Sequence, residues 1–115
     1  MKLENQILSA KQVRELQELG FDVEKYSSIK SNGKKVVTED DFYIGAAPLF
    51  PTMSIGDIIN VLPFNIDTHY FLSINSEYCM YSMTGDFDTI FFTREKGIMN
   101  NLFNTLVWCI KQKHI

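Results

Sequence analysis

The sequence predicts an α+β domain: a small antiparallel sheet of about 3–5 strands packed on a long C-terminal helix, with two short helices. Three observations carry this. The segment 98–115, IMNNLFNTLVWCIKQKHI, has a clear helical period. The region from His69 to Phe92 alternates side chains in three short runs. Ser9 and Ser54 each begin a capping signature followed by a narrow apolar edge.

The chain has 115 residues, enough for one domain spanning 1–115. Hydrophobic content is 45%, with nine Phe, five Tyr and one Trp, which supplies a packed core and excludes a disordered chain. The net charge is -3. The basic clusters are Lys34-Lys35 and the C-terminal lysines, so no basic stripe marks a nucleic-acid binder.

Ser9 with Gln12 fits a capping box, and Leu8 with Val13 fits its hydrophobic staple. Ala10, Val13, Leu16 and Leu19 give the apolar edge of a helix over about Ala10–Leu19. Gly20 suits a left-handed terminator, with Phe21 folding back onto Leu16. Between Phe21 and Phe50 the signal weakens. Ser28–Lys30 and Lys35–Thr38 suit strands around Asn32-Gly33, or Lys30–Lys35 is a loop. Glu39, Asp40 and Asp41 read as a solvated turn and Phe42–Ala46 as a short extended piece. Pro48 and Pro51 then impose irregular backbone.

Ser54 with Asp57 repeats the capping box, with Met53 and Ile58 as staple. Ile55, Ile58, Ile59 and Leu62 form the edge of a two-turn helix that Pro63 stops. Three strands follow: His69–Asn75, Tyr78–Met83 and Thr89–Phe92, joined by short connections around Ser76 and Thr84-Gly85-Asp86. On the final helix, Met99, Leu102, Phe103, Leu106 and Ile110 fall within about 100° of one another, with Cys109 beside them. Asn100, Asn101, Asn104 and Lys111 lie on the other side. Trp108 falls with them, either covered by a loop or the N-terminal segment, or anchoring a contact with another chain. Lys111, Lys113 and His114 suit the negative end of the helix dipole.

The sheet's second face is the other interaction candidate. With Leu72, Cys79 or Tyr81, and Ile90 toward the helix, Phe71, Met80, Tyr78 and Phe91 point away. Either the Phe21–Phe50 segment covers them, or they form a surface for a protein partner or a second copy. The candidate interface is therefore Trp108, Phe71, Met80 and Phe91.

Catalytic signals are sparse. Asp86 and Asp88 flank Phe87 near a turn and could hold a divalent ion, but they lack the spacing of a calcium loop. His69 and His114 have no partners spaced for a triad or a zinc pair. Cys79 and Cys109 lie in apolar segments and read as reduced, buried thiols rather than metal ligands or nucleophiles. No catalytic residue, metal site or cofactor is assigned. The N-terminus does not read as a signal peptide, and no apolar run reaches the roughly 20 residues of a membrane span, which points to a cytoplasmic protein without membrane attachment.

Three segments, LSAKQVRELQELGFDVEKYS (Leu8–Ser27), PTMSIGDIINVLP (Pro51–Pro63) and LVWCIKQKHI (Leu106–Ile115), resemble a family of small proteins encoded by phages, prophages and mobile elements of gut Bacteroidetes. Its members read "LQELG" followed by an Asp, a "P-T-x-x-x-x-D" helix ending "LP", and a final helix with "WCI". Leu16–Gly20, Asp22, Pro51-Thr52, Asp57, Leu62-Pro63 and Trp108-Cys109-Ile110 occupy those positions, while Lys30–Asp41 has no counterpart. The resemblance implies a phage or mobile-element setting, hence a host cytoplasm, and no particular activity. The resulting expectation is a non-enzymatic interaction or accessory protein that binds a protein partner or itself. Alternatives are a nucleic-acid-binding regulator using its lysines with Tyr26, Tyr43 or Trp108, and a small metal-dependent hydrolase or nuclease using Asp86, Asp88 and His69.

Overall fold

The computed structural model describes residues 6–31, 49–83 and 88–115, together with the backbone of 36–38. Its elements are α1 (Ala10–Glu18), α2 (Val23–Tyr26), β1 (Ile29–Ser31), β2 (Val36–Thr38), β3 (Phe50–Thr52), α3 (Ile55–Val61), β4 (Asn65–Ile66), β5 (Tyr70–Ile74), β6 (Cys79–Met83), β7 (Thr89–Thr93) and α4 (Ile98–Lys111). The class is α+β, with two antiparallel sheets ordered β2-β1-β3 and β4-β5-β6-β7.

Both capping boxes form. The Ser9 hydroxyl accepts from Gln12 N at 3.2 Å, while Ser9 N donates to the Gln12 side chain at 3.0 Å. Gly20 stands at φ 85°, and the bonds Phe21 N to Leu16 O and Gly20 N to Gln17 O close α1 as a Schellman motif. In α3, Asp57 accepts from Ser54 N and also from the N–H and hydroxyl of Ser28, so one carboxylate caps a helix and ties down the approach to β1. The buried side of α3 is narrower than expected: Ile58 and Leu62 enter the core, but Ile59 is 41% exposed.

The sequence missed three elements. The one-turn α2 is capped by Asp22, whose side chain accepts from Lys25 N. β3 includes Pro51, which pairs with Lys30 at the edge of the three-stranded sheet, where a missing N–H is tolerated. β4 is two residues long, too short to leave a pattern. The pairing of β1 with β2 matches the strand alternative of the two left open for this region, whereas Asn32–Lys35, Glu39–Ala46 and the Thr84-Gly85-Asp86 turn lie outside the described residues.

One continuous core joins both halves, running from Leu8, Val13 and Leu16 through Met53 and Ile58 to Tyr81, Leu102, Leu106 and Cys109. Leu8 is locked from both sides: its N–H donates to Met53 O at 3.1 Å, and its carbonyl accepts from the buried Thr52 hydroxyl at 2.7 Å.

The predicted orientation of α4 needs correction. Asn101 and Thr105 are fully buried, alongside Met99, Leu102, Phe103, Leu106 and Cys109. On a wheel of about 100° per residue this buried arc spans about 200°, and Trp108 stands about 20° beyond its Asn101 end rather than opposite its centre. Asn101 belongs inside because all of its polar atoms are used. Its Oδ1 accepts from Glu95 N at 2.6 Å, and its Nδ2 donates to the carbonyls of Glu77 and Glu95 at 3.1 Å each. Thr105 donates to Asn101 O at 2.7 Å.

Candidate functional site

The register of the four-stranded sheet sorts its residues into two faces. Leu72, Tyr81 and Phe91 lie in one cross-strand row, and Ile74, Cys79 and Thr93 in another. Tyr81 and Cys79 are fully buried against α4, so these rows form the helix-facing side. Ser73, Met80 and Phe92 form the intervening row and, with Phe71, lie on the outer side.

Phe91 therefore faces the helix, contrary to the outward position expected from the sequence. Its ring stacks on Trp108 with centroids 4.8 Å apart, and Tyr81 and His114 flank the same indole at 5.6 and 5.1 Å. Alternation alone allows two phases for β7, each with large apolar residues. Thr93 decides between them, since it is buried and its hydroxyl accepts from Asn104 Nδ2 at 3.0 Å. A bulge opposite Tyr81–Ser82 adds Ile90 as an extra residue, so a strict two-residue period does not run the length of β7. Trp108 is covered by the sheet and the chain's final turn, neither the loop nor the N-terminal segment expected.

Of the four candidate interface residues, Phe71 and Met80 share the outer face, whereas Trp108 and Phe91 pair between sheet and helix. Phe92 and Phe64 also belong to the outer patch, which the sequence reasoning missed. Phe92 is 53% exposed and meets Tyr78 at 5.6 Å, while Phe64 is 73% exposed and meets Phe71 edge-on at 5.9 Å. A rule that surplus aromatics on a meander mark a second face would have found Phe92; Phe64, next to a proline outside any predicted strand, gave no such signal.

Near the helix-facing side lies a polar cluster. Tyr81 donates its hydroxyl to Pro63 O at 2.8 Å and receives the Cys109 thiol at 3.7 Å. Burial pushes the phenol and both thiols up, so all three stay neutral at neutral pH. Both cysteines are free and buried. A buried, neutral thiol is a poor nucleophile, so this cluster reads as structural.

The remaining titratable candidates are dispersed. Asp88 accepts the Tyr70 hydroxyl at 3.0 Å, and Asp86 lies outside the described residues. His69 is exposed beside the Thr68 hydroxyl, and His114 lies on Trp108. Among the described residues no three His, Cys, Asp or Glu side chains converge as metal ligands. An open groove between the starts of α1 and α4, lined by Gln12, Glu15, Lys96 and Asn100, is crossed by the Gln12–Asn100 bond. Among the described residues no helix is long and apolar enough to cross a membrane. No family model, no curated protein and no solved structure matches this chain.

Proposed function

We propose that this chain is a non-enzymatic interaction protein, binding another protein or itself through the outer face of the four-stranded sheet. The observation that carries this reading is the outer patch of Phe64, Phe71, Met80, Tyr78 and Phe92, with two of its rings more than half exposed. The outward face of an antiparallel sheet is ordinarily polar, and exposed apolar patches mark binding surfaces. Aromatic residues and methionine are also the types enriched at the centres of interfaces.

The two free, buried thiols support a reducing, cytoplasmic setting. The phage or mobile-element origin rests on the resemblance of the three sequence segments alone.

The test compares wild type with Met80→Glu and Phe71→Glu in light scattering and in affinity capture from cells of the source organism. Self-association or a captured protein, lost in both variants while their thermal melts persist, supports the reading. Wild type that neither self-associates nor captures any protein overturns it.

A further inference from the structure

β4 is the least secured strand of the four-stranded sheet. It has two residues, stands at an edge and pairs with β5 alone among the described strands. In the stretch 63–69 only Ile66 is buried, while Phe64, Asn65, Asp67, Thr68 and His69 are exposed.

The turn from β4 to β5 carries strain. Asp67 stands at φ 55° and Thr68 at φ 61°, and His69 N donates to Ile66 O at 3.2 Å. Two successive left-handed residues make a primed hairpin turn, for which Asn followed by Gly is the favoured pair. Asp tolerates this backbone at small cost. Thr does not, because its branched Cβ crowds the carbonyl beside it. At the other end of β4, Pro63 follows the extended C-cap Leu62 of α3 and brings no N–H to hold the chain.

Four attachments oppose that strain. Leu72 N donates to Phe64 O at 3.0 Å, the Tyr81 hydroxyl donates to Pro63 O at 2.8 Å, Ile66 enters the core, and Phe64 meets Phe71 edge-on. All four lie within 63–66, so they form and break together.

We infer that β4 is a latch that opens as one unit within the folded protein, swinging between Pro63 and the Asp67-Thr68 turn. Closed, it sets Phe64 into the outer patch and covers the edge of β5. Open, it withdraws Phe64 and leaves the Leu72 N–H to solvent. Short segments with few buried side chains and a strained turn lie at the low-stability end of a fold and open without global unfolding. The latch stands apart from the interaction reading: its failure leaves the outer patch unchanged, and a patch that binds nothing leaves the latch.

β5 carries both reporters needed to test this. Asn75 N donates to Tyr78 O at 3.0 Å, so alternation turns the Ser73 N–H toward β6 and the Leu72 N–H toward β4. In amide hydrogen exchange followed by NMR, Leu72 should be protected at least tenfold less than Ser73. Urea below the unfolding transition should speed Ser73 and leave Leu72 unchanged, because latch opening exposes little surface. Asp67→Asn combined with Thr68→Gly should slow Leu72 exchange about fivefold by relieving the turn. Leu72 protected as strongly as Ser73, a Leu72 rate that climbs with urea in step with Ser73, or a rate indifferent to the double variant overturns the inference.

Discussion

Leu72, Tyr81 and Phe91 lie under α4, while Phe71, Met80 and Phe92, one residue away along the same strands, lie on the sheet's other side. The two sets are nearly equal in hydrophobicity. What separates them is the polar framework around the first set: Asn104 reaching Thr93, Tyr81 reaching Pro63 O, and Asn101 holding Glu77 and Glu95. The outer set is joined mainly by ring contacts among Phe64, Phe71, Tyr78 and Phe92. A face committed to the fold is thus recognised by satisfied polar atoms at its margins more than by its apolar content.

Replacing Leu106 with Ala should cost the most, about 3 kcal/mol within the usual 2–5 range for a buried leucine, read from urea denaturation. Alkaline pH should come next. Burial raises the Cys79 and Cys109 thiols and the Tyr81 phenol, so the fold holds protons that the unfolded chain releases. Stability should therefore be full below about pH 8.5, where a free thiol keeps its proton, and fall above it, with the loss reduced in Cys109→Ala.

A smaller effect is expected from the Phe91–Trp108 stack. A double-mutant cycle to Leu should give a coupling of about 1 kcal/mol, read from urea denaturation by circular dichroism, since the chain's single tryptophan is absent from two of the four proteins. A coupling near zero would mean that the indole is held by Tyr81 and His114 instead. Smallest should be Met80→Ser on the outer face, below about 1 kcal/mol in the same urea experiment. A loss as large as that of Leu106→Ala would break the distinction between the two faces.

Much of the fold was legible where local chemistry is self-contained. Ser9, Gln12, Gly20, Ser54 and Asp57 act within a few residues of themselves, so their caps could be read directly. The meander was legible from alternation. Failures arose where a residue's partner is distant in sequence. Asn101 and Asn104 look like a solvated helix face until Glu77, Glu95 and Thr93 are brought to them. That misplacement rotated the predicted helix and sent Trp108 to the wrong side. In the candidate site, Phe71 and Met80 followed from strand parity, while Phe91 did not, because the Ile90 bulge and the Thr93 hydrogen bond set the parity of β7.

The order in which the chain is made gives α4 a further consequence. The strands are complete at Thr93, but α4 runs to Lys111. At about 5–20 residues per second, the ribosome takes roughly one to four seconds to supply that helix. Until α4 has emerged and docked, the helix-facing rows have nothing to pack on, and no Asn101 side chain is in place to clasp the Glu77 turn to the Glu95 loop. Chaperone dependence during synthesis should then track α4: slowing translation across 94–111 lengthens the vulnerable window, while the finished protein is unchanged.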